Sequence, residues 1–340
     1  MVTTSPKHAR HPVPTHEVPA AVRAAGIIIG ITAVLAILAI AFALPASRSG
    51  PHDVPIGAAG PTAAGGQISA MLDQNAPGAF AVTYYPSKAA LTDAIRHRDV
   101  YGGIALPSQP GGQATLLVAS GGSPAVAQLL TQLGSEVGHR TGMPLQIEDL
   151  AALPPRDPRG AGLAASALPI TLATFVPAIA LVLVLRREIW TRFAAAVVFA
   201  GVAGLTIAAV LRYVLGSIDQ NFWGVAGALT LGVAAGLLFI LGLGSLFGKA
   251  GLALGGVLAL LVGNPLSGLS SAPELLPTGW GQLGQMLPQG ATATLLRSAA
   301  AFDGAGATTA LAVLACWALA GTALVVVAAL RRPEPGAEVT

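Results

Sequence analysis

Few side chains in this 340-residue chain are grouped as chemistry would require. His97 lies in Arg96-His97-Arg98-Asp99, and histidine has the proton affinity for acid–base work near neutral pH. Its charged neighbours are those of a solvated helix end, which accounts for it without a reaction. Ser123 follows Gly121-Gly122 and precedes Pro124. That is not the G-x-S-x-G turn that presents a nucleophilic serine between strand and helix. It reads as a helix cap followed by a first-turn proline. Glu148, Asp149 and Asp157 are too dispersed for a metal site. His8, His11 and His16 sit in a proline-rich tail without a carboxylate or cysteine framework, so a solvated tail is the reading. Gly248-Lys249 lacks the first glycine of a phosphate loop (position 243 is Leu) and its hydroxyl residue (position 250 is Ala), so that motif binds no nucleotide here. Cys316 is the single cysteine, which excludes an internal disulfide and a multi-cysteine metal site. The sequence assigns no catalytic residue, no metal and no cofactor, and the expectation is a protein that is not an enzyme.

The composition explains the scarcity. Apolar residues make up 54% of the chain and charged residues 10%, against roughly 25% charged in soluble domains. Six apolar stretches approach the ~20 residues needed to cross a hydrocarbon layer of roughly 30 Å. They are 24–44, 163–185, 193–211, 223–247, a fifth from Leu252 that is interrupted at Gly263-Asn264-Pro265, and 308–330. The first ends in an A-x-A pattern, Ala41-Phe42-Ala43, but it is longer than a signal-peptide core and follows a 23-residue tail, so it reads as an uncleaved anchor. With the N-terminus inside, the cytoplasmic segments hold nine of the 18 basic residues, among them Lys7, Arg10, Arg23, Lys249, Arg331 and Arg332. The short outer loops hold only Arg212 and Arg297. Loops rich in Lys and Arg stay inside. The expected fold class is an α-helical polytopic membrane protein of six spans, with an inserted extracytoplasmic α/β domain. Its parts are a tail over 1–23, a first helix over 24–45, the domain over 46–160, a five-helix membrane domain over 161–332 and a tail over 333–340. Both termini are cytoplasmic, and membrane lipid is the obligatory neighbour. No basic stretch carries interleaved aromatics, so nucleic acid is not a partner.

Residues 46–160 have the composition and length of a domain with its own core. Val54-Pro-Ile-Gly reads as a strand and 67–74 as a helix with Ile68, Met71 and Leu72 on one face. Residues 80–85 are β-formers bounded by Pro77-Gly78 and Pro86. Ser87 caps a helix bearing Leu91, Ala94 and Ile95, and strands follow at 101–106 and 114–119. Ser123 opens a helix with Val126, Leu129, Leu130, Leu133 and Val137 on one stripe, and 143–150 reads as a last strand. The sum is a small α/β sandwich.

In the membrane part, Pro169 and Pro177 each free a backbone carbonyl in the second span, as a structural kink or as a gating hinge. No charge lies at the centre of a span, against an ion-coupled carrier, whose coupling site needs an intramembrane ionisable group. Arg186, Arg187, Glu188, Trp190 and Arg192 form the main cytoplasmic loop. They are either a topological signal with tryptophan at headgroup level or a docking surface for a cytoplasmic partner. The semi-polar outer segment contains Asn264, Pro265, Glu274, Pro277, Pro288 and Arg297. It reads as helical in pieces, dipping into the outer leaflet before the last span.

Within that segment, Asn-Pro-Leu-Ser-Gly268, Pro273-Glu-Leu-Leu-Pro277, Met286-Leu-Pro288 and Leu295-Leu-Arg297, followed by Phe302-Asp-Gly-Ala-Gly306, resemble the end of type-2 ABC transporter permeases. More narrowly they resemble the phage-infection-protein-like branch. Ala94-Ile-Arg-His-Arg-Asp-Val-Tyr-Gly-Gly103, Leu117-Val-Ala-Ser-Gly-Gly-Ser-Pro-Ala125 and Asp157-Pro-Arg-Gly160 are similar to that branch's outer domain and its return to the membrane. The resemblance implies a permease subunit of an exporter in a bacterial plasma membrane. It implies a separate ATP-binding subunit, a homodimer or a heterodimer with a related permease, and an amphipathic or envelope-related substrate. The 186–192 loop would then couple to the ATPase. The alternative is a non-transporting envelope protein, such as a phage receptor or secretion accessory.

Overall fold

A computed structural model describes residues 19–107, 112–141 and 145–331. The three tail histidines, Lys7, Arg10, Gly111, Met143, Arg332 and the tail over 333–340 lie outside the described residues, as do the side chains of Ile68 and Val137. The chain forms two compact units, Met1–Ala41 and Phe42–Thr340.

Residues 54–149 build one mixed sheet. Its strands are β1 (Val54–Ala59), β2 (Phe80–Tyr85), β3 (Gly102–Ala105), β4 (Ala114–Val118) and β5 (Leu145–Asp149), in spatial order β2-β1-β3-β4-β5. All neighbours run parallel except β3 and β4. A parallel pair needs a crossover, and helices supply it. They are α2 (Thr62–Asn75), α3 (Lys88–Arg96) and α4 (Pro124–Thr141). Ser87 caps α3 by accepting from the Ala90 amide at 3.1 Å, and the buried Ser123 hydroxyl accepts from the Val126 amide. β4 is buried along its length because both of its faces are covered. Leu116 and Val118 pack with Val126 and Leu130 of α4, while Leu117 packs with Leu91 and Ile95 of α3.

Five helices among the described residues are long and apolar enough to cross a membrane: Ala20–Pro45, Ala161–Val184, Ile189–Leu215, Phe222–Phe247 and Thr308–Leu330. The shortest has 23 residues, about 35 Å at 1.5 Å per residue. The first lies mostly in the N-terminal unit within α1 (Ala20–Ser47), and its apolar residues, Ile27 to Ile31 among them, are exposed. The second combines α5 (Ala161–Ala165) and α6 (Ala167–Val184). The third is α7 (Ile189–Ala209) with a π-helical turn over Val210–Leu215. The fourth is α8 (Phe222–Phe247) and the last is α12 (Thr308–Leu330). The expected fifth span is shorter. It is α9 (Lys249–Val257) followed by a π-helical turn, Leu258–Gly263, and rises only about 22 Å. Pro265 lacks an amide to continue the ladder, so the helix stops there.

Helix α8 is the hub. Two-thirds of its apolar window is buried, against 22–28% for the second, third and last membrane-length helices. Small residues make this possible. A Cβ at Gly321 of α12 would lie 2.4 Å from the Leu238 backbone of α8, so the two backbones touch there. The segment between α9 and α12 is helical in pieces, as the sequence predicts: a turn over Pro273–Leu275, α10 (Trp280–Gln285) and α11 (Pro288–Ala301). Helix α11 packs on α8 and α12, and most of its side chains are buried.

Candidate functional site

A cavity of about 660 Å³ lies between the sheet and the 273–313 segment. One side comes from the end of α3 and the start of β3. Helix α3 closes with the Asp99 amide donating to Ala94 O at 2.9 Å and the Arg98 amide to Ile95 O at 3.0 Å. This paired closure puts Arg98 in the left-handed region, at φ 65°, where glycine is the usual occupant. An arginine held in that conformation marks a side chain wanted in that place. It reaches α11, donating from Nη1 to Thr294 O at 3.0 Å and to Ser298 Oγ, with the guanidinium 5.3 Å from the Phe302 ring centre. Tyr101 crosses to the turn before α10 and donates its hydroxyl to Glu274 Oε2 at 2.7 Å. Backbone bonds from Gly50 to Leu275 O and from His52 to Glu274 O, each 3.0 Å, tie the same turn to the chain ahead of β1.

Arg297 lies behind this wall, 4% exposed, and donates from Nη2 to Leu269 O at 2.6 Å. Burial, opposed by Tyr101 and augmented by Arg98, pushes its pKa down to about 10, so it stays charged at neutral pH. Burial also lowers Arg98. The Tyr101 phenol is raised well above its ordinary value, first by burial and then by Glu274. Apolar lining comes from Ile95, Val100, Leu276, Met286, Phe302 and Val313. The cavity thus joins a polar, partly desolvated end to an apolar flank that reaches the second turn of α12. Pockets of this size and mixed lining suit small organic ligands.

The sequence-derived site residues fall into separate places. Glu274 and Pro277 line this cavity, and Arg297 supports it. Pro288 is buried at the first position of α11. Asn264 and Pro265 line a second cavity of about 520 Å³ with Ser49, Ser267 and Ser271. Pro177 lies inside α6 beside an apolar groove shared with Phe199. Pro169 is in the first turn of α6, and its ring opposes the carbonyl four residues back, where α5 ends. Arg186, Arg187 and Glu188 are exposed at the α6–α7 connection. Trp190 is exposed and packs edge-on against Phe193. Arg192 departs from the loop-surface expectation: it is 1% exposed. It falls on the buried stripe of α7 with Ile189, Ala196 and Ala200, so it offers no docking surface. Asp157 caps α5, accepting from the Ala161 and Gly162 amides and from the Ser217 hydroxyl at 2.6 Å.

Arg98, Tyr101 and Gln285 are cavity residues that the sequence did not single out. Their partners lie up to 200 positions away, and no local pattern records that. The left-handed closure of α3 is a backbone signal absent from the residue types. No family model, curated protein or solved structure matches the chain.

Proposed function

We propose that this chain is the permease subunit of an ABC-type exporter in a bacterial plasma membrane, driven by a separate ATP-binding subunit and moving an amphipathic substrate. The observation that carries the reading is the cavity of about 660 Å³ shared between Arg98, Tyr101 and Glu274 and the start of α12. It places a mixed polar and apolar chamber against a helix of membrane length. A substrate of mixed polarity fits such a chamber, and force applied to α12 would reshape it.

In this reading the chain crosses six times, with both termini cytoplasmic and the sheet domain outside. Contacts support the part of that count that follows the sheet domain. Asp157 meets Ser217, Asn221 donates to Ala299 O, and Tyr101 meets Glu274. The start of α5, the end of the third membrane-length helix, the start of α8 and the 273–301 segment therefore share one end of the bundle. Helix α8 leaves that end, so Lys249–Gly263 brings the chain back to it, with Gly263-Asn-Pro turning it there. At the opposite end the exposed Arg186, Arg187, Glu188 and Trp190 offer the surface on which an ATPase docks, and a dimer of this chain or with a related permease completes the transporter. The test is isolation of the tagged chain from native membranes in mild detergent: co-elution of an ATP-hydrolysing subunit supports the reading, and a folded chain that elutes without one supports a non-transporting envelope protein.

A further inference from the structure

Two guanidiniums stand at the polar end of the cavity, Arg98 on its wall and Arg297 behind it. Arg98 and Arg297 are both desolvated, and Glu274 is the carboxylate that bears on both. Neither guanidinium forms an ion pair with it: among the described residues, Lys88–Glu148 is the ion pair within 4 Å. Glu274 instead accepts from the Tyr101 hydroxyl. Asp53, also on the lining, is exposed to solvent, so its charge is screened. Among the described residues both guanidiniums bond only neutral oxygens; a charge withdrawn from water onto neutral acceptors stays costly, and an incoming opposite charge recovers part of that cost.

A buried donor is also left over at this end. Gln285 Nε2 has no hydrogen-bond partner among the described residues, while its Oε1 accepts from Thr294 Oγ1 at 2.6 Å. The Thr294 carbonyl accepts from Arg98 Nη1. One residue of α11 therefore holds a guanidinium and an unpartnered amide on the same cavity wall. A guanidinium is suited to the paired oxygens of a phosphate or carboxylate, and an amide N–H adds a further donor. Met286, two-thirds exposed, and Val313 of α12 continue the cavity as apolar surface.

We propose that the cavity binds a single-tailed amphiphile with an anionic head, a phosphate or carboxylate. Arg98 and Gln285 Nε2 receive the head, and the tail lies along Met286 and Val313 towards α12. The volume is that of a drug-sized ligand rather than a two-tailed lipid. The assignment rests on the permease reading of this cavity and names its substrate class.

The test is native mass spectrometry of the full chain released from non-ionic maltoside micelles. The additions are dodecyl phosphate, dodecyltrimethylammonium, inorganic phosphate or a two-tailed phosphatidic acid. One dodecyl phosphate should bind saturably per chain, at least tenfold more tightly than any of the other three. Arg98→Gln should weaken it at least tenfold. Gln285→Leu, which removes that donor and with it the acceptor of Thr294 Oγ1, should weaken it severalfold and lower the melting temperature slightly. Equal binding of the cationic amphiphile or of inorganic phosphate overturns the proposal. So does preference for phosphatidic acid, or an unchanged affinity in Gln285→Leu. The measurement needs neither nucleotide nor partner, so its failure is separable from failure of ATPase co-elution.

Discussion

Replacing Arg98 by glycine sets two effects of opposite sign against each other. The backbone gains, because a non-glycine residue in the left-handed region costs about 1–2 kcal/mol, and Arg98 sits there at φ 65°. The side chain loses two bonds from a charged donor, to Thr294 O and Ser298 Oγ, each worth about 1.5–3 kcal/mol. Arg98 is partly exposed, so the lower end applies. It also loses the contact with Phe302, about 0.5–1 kcal/mol. The losses outweigh the relief, for a net destabilisation of about 1.5–3 kcal/mol. Asp303→Gly is the control. Asp303 has a similar backbone, φ 49°, and an exposed side chain, so that variant should be at least as stable as the parent. The assay is tryptophan-fluorescence melting of the full chain in maltoside detergent, at one scan rate. If Arg98→Gly melts at or above the parent, the guanidinium does not hold the sheet to α11, and the cavity wall described here is not a fixed one.

Leu130 of α4 is 5% exposed in the sheet core, so Leu130→Ala should cost about 2–5 kcal/mol in the same melt; an unchanged melting temperature would reassign that face of α4. Gly321→Leu should separate α12 from α8, because its Cβ has backbone 2.4 Å away, and the variant should fail to give a monodisperse peak on gel filtration. A variant peak matching the parent's would mean that the crossing is looser than drawn. Tyr101 keeps its proton above the ordinary phenol value near 10. Its stabilisation is therefore complete below pH ~10 and declines as pH rises further, because the unfolded chain ionises first. Ultraviolet tyrosinate titration should show a late step that Tyr101→Phe removes, and persistence of that step in the variant would place the protected phenol elsewhere.

Much of the architecture is written locally. The stripe Val126, Leu129, Leu130, Leu133 repeats at helical spacing, and α4 forms from it; the alternating cover on β4 follows from a short run of apolar β-formers. Membrane-length helices are legible for the same reason, since the bilayer imposes a length that composition alone reveals. What the sequence hides is set by contacts between distant residues. Arg98 reads as a solvated helix end until α11 is folded against it. Arg297 reads as an outer-loop charge, yet burial places it behind a cavity wall. Arg192 belongs by sequence to a basic loop and by helical phase to the buried stripe of α7. The fifth apolar run is ambiguous in sequence because the residues before Gly263-Asn-Pro are too few to measure out a full span.

If a separate ATPase drives this chain as proposed, the exposed α6–α7 connection is where it engages. The most direct measurement is ATP hydrolysis by the complex purified through the tagged chain, compared with the Arg187→Glu, Glu188→Arg double variant. Both residues are exposed, so the variant should insert and fold as the parent does. Hydrolysis should co-elute with the parent chain and be lost from the variant at equal yield of chain. Hydrolysis retained in full by the variant, or absent from the parent, would contradict it.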